Sequence, residues 1–121
     1  MQITDAETKV MQVLWEQSPL TADQVVERLA DTETWHANTV KTLLSRLLNK
    51  KAVAADVDRR RYLYRPQLSR EAFVASESRS LLDRLFGGKL APLVSHFAQQ
   101  RELSKQDIAE LRRLLEDLDR D

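Results

Sequence analysis

Apolar residues return at helical spacing along most of this chain and at alternate positions in one stretch, and that change of period divides it into elements. Ile3, Ala6, Val10, Val13 and Leu14 keep one helical stripe from about Thr4 to Gln17, with Asp5 and Glu7 near the positive end of the helix dipole. Ser18-Pro19-Leu20 stops it. Thr21-Ala22-Asp23-Gln24 then has the spacing of a capping box, and Val25, Val26, Leu29 and Ala30 supply the apolar face of a second helix ending near Asp31. After a short connector, Val40, Leu43, Leu44, Leu47 and Leu48 line one side of a third helix over 38–49. Asn38, Lys41, Thr42, Ser45 and Asn49 line the other.

Beyond Lys51 the period falls to two. Val53, Ala55 and Val57 alternate with Ala54, Asp56 and Asp58, and Tyr62 and Tyr64 alternate with Arg61, Leu63 and Arg65, which predicts a β-hairpin with a basic tip at Asp58-Arg59-Arg60. Pro66 ends the second strand, and Ser69 is placed to cap a helix reaching Phe86, with Phe73, Val74, Leu81, Leu82 and Leu85 on its apolar side. Gly87 and Gly88, the only glycines, mark a flexible break. Leu90, Leu93, Val94, Phe97 and Ala98 then repeat at helical spacing. Ser104 caps a last helix that carries Ile108, Leu111, Leu115 and Leu118, with Leu114 beside them.

The expected fold class is therefore mainly α with a small β-hairpin wing: an N-terminal winged helix-turn-helix over 1–68 and a C-terminal helical dimerisation domain over 69–121. The third helix pairs an apolar back with a front of short hydrogen-bonding side chains plus Lys41 and Arg46, which suits a helix that enters the major groove of double-stranded DNA. A basic hairpin next to it suits phosphate or minor-groove contact through Arg60 and Arg61. The three C-terminal helices expose more apolar surface than about fifty residues can bury among themselves, so they require a partner. A second copy is the economical one, with Leu90, Leu93, Val94, Phe97, Ile108, Leu111, Leu115 and Leu118 at the interface. The resulting two-fold dimer matches a palindromic operator with half-sites roughly 34 Å, one helical turn, apart.

Charge sharpens this picture although the net charge of the 121 residues is zero. Residues 1–34 hold two basic and seven acidic side chains, whereas residues 35–65 hold eight basic and two acidic ones, so positive charge gathers on the proposed reading helix and hairpin. No signal-peptide pattern and no apolar run of membrane-spanning length is visible, and there is no cysteine, so a cytoplasmic protein without membrane insertion is expected. Enzymatic readings fare poorly. His36 and His96 are the only histidines, far apart and outside any metal-ligand or nucleophile pattern, and no glycine-rich phosphate loop exists. Neither a cofactor nor a metal is expected. Trp15 and Trp35 are expected in or beside the winged-helix core.

The blocks Glu7 with Val10-Met11-Gln12-Val13-Leu14-Trp15, Leu20-Thr21-Ala22 with Val25-Val26, Trp35 through Leu47, and Arg60-Arg61-Tyr62-Leu63-Tyr64 resemble the penicillinase-repressor (BlaI/MecI/CopY) family of bacterial winged-helix repressors. The resemblance runs along nearly the whole chain. It implies a homodimer that represses transcription at a palindromic operator, with Asn38, Thr39, Lys41, Thr42 and Arg46 at the DNA-contacting positions. It also implies relief by a membrane sensor metalloprotease, triggered by a β-lactam, that cuts an Asn-Phe bond in the dimerisation domain; the matching bond here is His96-Phe97. The cysteine-rich tail of copper-responsive relatives is missing, so copper control is not expected. Ala52 and Arg59 stand where the family has glycine, so a Cβ meets turns that favour positive φ. Two other functions share the fold: a winged-helix regulator that senses a small ligand between its dimer helices, and a winged-helix module for protein contacts alone. A ligand-dependent shift in DNA affinity marks the first, and absence of salt-dependent DNA binding marks the second.

Overall fold

A computed structural model describes residues 2–120; Met1 and Asp121, the outer ends of the two expected domains, lie outside the described residues. The elements are α1 (Asp5–Glu16), α2 (Ala22–Leu29), α3 (Ala37–Asn49), β1 (Val53–Asp58), β2 (Arg61–Pro66), α4 (Arg70–Leu85), α5 (Leu90–Gln99) and α6 (Lys105–Asp119). The expected class, helices with one antiparallel hairpin, is the observed one.

Local chemistry starts two of the first three helices. At α2 the Thr21 N–H donates to Gln24 Oε1 at 2.8 Å while the Gln24 N–H donates to Thr21 Oγ1 at 3.2 Å, the capping box expected there. The same device opens α1 through Thr4 and Glu7, where the sequence reading saw only a favourable dipole. The core then follows the stripes. Val10, Met11, Val25, Leu44 and Leu47 are 0 % exposed, and Val40 and Leu43 no more than 4 %. Each such side chain contributes roughly 1.5–3 kcal/mol of transfer free energy. That burial, more than propensity, holds α3, whose Asn, Thr and Ser residues are indifferent helix formers.

The hairpin pairs Val53 with Pro66 and Asp58 with Arg61. It is joined by a third, single-residue strand: the Leu20 N–H donates to the Tyr64 carbonyl at 3.0 Å and the Tyr64 N–H to the Leu20 carbonyl at 2.7 Å. The turn between α1 and α2, read from sequence only as a stop, is thus the strand that fastens the wing to the helices.

Two turn expectations need correcting. The tip is not the three-residue Asp58-Arg59-Arg60 segment: Asp58 ends β1, leaving a two-residue turn with Arg59 at φ 50° and Arg60 at φ 72°. After α3 the positive φ falls on Lys51 (63°) rather than on Ala52. The Lys51 and Ala52 N–H groups donate to the Leu48 and Leu47 carbonyls, a Schellman closure that puts Ala52 in the core at 0 % exposure.

The chain divides into two compact units between Val74 and Ala75, inside α4. The first residues of α4 belong to the winged-helix unit because Phe73 packs on Trp15, ring centroids 5.5 Å apart, while the Trp15 indole N–H donates to the Leu68 carbonyl at 2.8 Å. In the second unit Gly87 and Gly88 take φ 59° and 77° between α4 and α5, and Ser104 and Asp107 form a capping box at α6. Among the described residues of that unit none is fully buried.

Candidate nucleic-acid interface

α3 presents Asn38, Thr39, Lys41, Thr42, Ser45 and Arg46 to solvent, all exposed, directly above the buried Val40, Leu43, Leu44 and Leu47. Each position has a defined chemistry. Thr42 Oγ1 donates to the Asn38 carbonyl at 2.9 Å, so its hydroxyl proton is committed and it offers outward a methyl group and acceptor lone pairs. The Lys41 and Arg46 side chains make no hydrogen bond or ion pair among the described residues, which leaves both cations free for base edges or phosphates. His36 occupies the N-cap without a capping bond, and no acid stands in the first turn. The N-terminal end of α3 therefore keeps its uncompensated positive character, in contrast to α1, α2 and α6.

The C-terminal end of α3 is fastened by a contact that sequence reasoning missed. Lys50 Nζ donates to Glu7 Oε1 at 2.6 Å and to the Gln2 carbonyl at 2.8 Å, and the Thr4 N–H donates to the same Glu7 oxygen at 2.9 Å. Glu7 is 0 % exposed, and its Oε2 has no hydrogen-bond partner among the described residues. Burial pushes the Glu7 carboxyl up, but the hydrogen bonds from Lys50 and Thr4 and the Lys50 charge outweigh it and hold the group below the ordinary glutamate range. A glutamate three residues after Thr4, with a lysine just past the next amphipathic helix but one, was the only signal in the sequence. The connector is tied similarly at the surface, with Lys9 Nζ 2.9 Å from Glu33 and 5.7 Å from the half-buried Trp35 ring.

The Leu20–Tyr64 bridge brings the wing beside α3. A groove of about 570 Å³ is lined by the first turn of α2, by Lys41 and Ser45, and by Arg61, Tyr62 and Tyr64. Lys41, Ser45 and Arg61 thus share one concavity with the N-terminal end of α2, whereas Asn38, Thr39, Arg46 and Arg60 lie outside it. On the wing itself Arg61 lies 3.7 Å from Asp58 and Arg65 2.9 Å from Asp56. The residues expected at the second unit's interface divide in exposure: Leu90, Phe97, Ile108, Leu115 and Leu118 are exposed, while Leu93, Val94 and Leu111 are half-buried along a groove between α5 and α6. His96 and Phe97 lie inside α5, both exposed, their rings 5.7 Å apart. Among the described residues no His, Asp and Glu cluster could hold a metal.

A helix-turn-helix with a bonded wing, an exposed polar face on its second helix and concentrated positive charge defines a winged-helix DNA-binding regulator of transcription. The chain belongs to the penicillinase-repressor family, whose model matches residues 3–117, and is a repressor rather than an enzyme. It is 34 % identical over 116 residues to a penicillinase repressor of Bacillus licheniformis, covering 96 % of this chain and 91 % of that protein. It is 25 % identical to the methicillin resistance regulatory protein MecI of Staphylococcus aureus over 94 % of this chain and 93 % of that one. Among solved structures, it is similar to the B. licheniformis BlaI monomer in complex with the blaP half-operator: TM-score 0.53, 35 % identity, 60 % of this chain and 88 % of that chain.

Proposed function

We propose that this repressor acts in the cytoplasm as a homodimer on a palindromic operator, each protomer laying α3 in the major groove of one half-site with the wing beside it. The observation that carries the reading is the two-sided character of α3, fully buried behind and uncommitted in front at Lys41 and Arg46. A relative solved as a monomer on a half-operator supports one protomer per half-site. In the second unit, Leu90, Leu115 and Leu118 are 59 %, 60 % and 69 % exposed, which supports pairing with a second copy through α5 and α6.

Relief of repression is proposed to follow a β-lactam or cell-wall signal, through a membrane sensor metalloprotease that cuts His96-Phe97. The His96 carbonyl accepts from the Gln100 N–H at 3.1 Å and the Phe97 carbonyl from the Glu102 N–H at 3.0 Å, so α5 must unwind locally before a protease can take the bond in extended form. Cutting separates α6 from the wing unit and removes the bivalency that strengthens operator binding. The test is a gel-shift and footprint on the DNA upstream of the protein's own gene, followed by immunoblotting after β-lactam induction. A footprint over both halves of a palindrome with two protomers bound, and a fragment ending at His96, are the expected results. Sequence-blind binding would remove the operator reading, and an intact band with induced expression would remove the cleavage reading.

A further inference from the structure

Resting on the DNA-binding reading above, we propose that the wing tip is a minor-groove probe for A·T-rich DNA flanking each half-site, with Arg59 and Arg60 as its reading residues. The first observation is conformational. A two-residue hairpin turn with positive φ at both positions, 50° and 72° here, is the type I′ geometry that suits Asn-Gly and disfavours longer side chains. Two arginines in that place oppose the local preference of the backbone, and such outliers concentrate where a side chain is needed for function.

The second observation is which cations are spent. Arg61 and Arg65 face Asp58 and Asp56, whereas Arg59 and Arg60 make no hydrogen bond or ion pair among the described residues. The wing's free positive charge is therefore confined to its two outermost residues. A phosphate contact asks only for charge, which a glycine turn flanked by strand arginines without acidic neighbours would supply without strain. Two planar guanidiniums projecting from the apex of a narrow hairpin instead match a narrow minor groove, whose A·T steps deepen the negative potential and lack the guanine amino group that blocks the floor. Behind the tip, Val57 and Tyr62 form an exposed cross-strand pair, 69 % and 59 % exposed, which offers apolar surface to the sugar walls of the groove. The Leu20–Tyr64 bridge fixes the hairpin to the turn before α2, so the probe's position is set relative to α3.

The test uses the full chain and footprinted operator duplexes whose flanks are A·T, G·C or inosine·C; inosine keeps the major-groove face of guanine but lacks its minor-groove amino group. The A·T and inosine·C duplexes are expected to bind at least about fivefold more tightly than the G·C duplex, the low end of what one altered base pair costs. R59N/R60G should bind more weakly overall, lose the flank difference, and melt roughly 4 °C or more higher as the turn relaxes. R59K/R60K should retain salt-dependent binding while losing the flank difference, because an ammonium lacks the planar fork. Wild-type preference for operator over shuffled DNA with equal affinity for all three flanks overturns the probe and leaves the repressor reading standing. A flank difference that survives in R59N/R60G also overturns it, and wild-type indifference to operator sequence overturns both.

Discussion

Replacing Lys50 by methionine keeps the aliphatic stem and removes the charge that faces Glu7. The carboxylate, 0 % exposed, would then retain only the Thr4 N–H. Breaking a fully buried pair from one side costs about 3–5 kcal/mol, but the Lys50 side chain is 31 % exposed and water reaches it, so we expect about 2–3 kcal/mol. That is a large part of a stability of order 5–15 kcal/mol. Both tryptophans, Trp15 and Trp35, lie in the winged-helix unit, so urea unfolding followed by indole fluorescence reads that unit alone. Glu7→Gln and the double variant complete a cycle in which the two single losses should overlap by about 1 kcal/mol or more. The pH dependence has a definite sign. Because the folded Glu7 pKa is depressed, its contribution is full above the ordinary carboxyl value of about 4.3 and is lost as pH falls through the folded value, an acid arm that Glu7→Gln should flatten. A Lys50→Met loss below about 0.5 kcal/mol with an additive double variant would mean that the pair is an ordinary surface contact and that α3 is held by its leucines alone.

Lys41→Ala and Arg46→Ala should each weaken operator binding by about 1–3 kcal/mol in fluorescence anisotropy, with little change in melting temperature, because both side chains are exposed and make no hydrogen bond or ion pair among the described residues. His36→Asp should add the missing cap to α3 and raise stability by about 0.5–1 kcal/mol in a thermal melt, yet weaken DNA binding by placing an anion at the groove-facing end of the helix. Leu115→Asp, on an exposed position of α6, should convert dimer to monomer by sedimentation while leaving the winged-helix unit folded.

What the sequence made legible was whatever is written in local period or short spacing. The α3 stripe predicted its buried face at Val40, Leu43, Leu44 and Leu47, with Leu48 only half-buried, and Thr21 with Gln24 announced its capping box from a three-residue spacing. Contacts between residues distant in sequence left no such trace. Leu20 pairs with Tyr64 as a single-residue strand, too short to have a period, and Lys50 meets Glu7 across 43 positions. Glu7 itself reads as a surface acid at a helix start until its burial is seen. The hairpin was legible, but its apex was misplaced by one residue, because two adjacent arginines look like a loop flank rather than the left-handed pair they form. The second unit shows the converse: a clear apolar pattern along α5 and α6 that one chain leaves exposed.

Sequence-specific reading by α3 in a two-copy complex is measured most directly as affinity for the chain's own upstream palindrome against a shuffled duplex as salt is raised. Two protomers per palindrome and a preference of about a thousandfold or more that persists as both affinities fall with salt are expected. Equal affinity for the two duplexes at every salt concentration would contradict it.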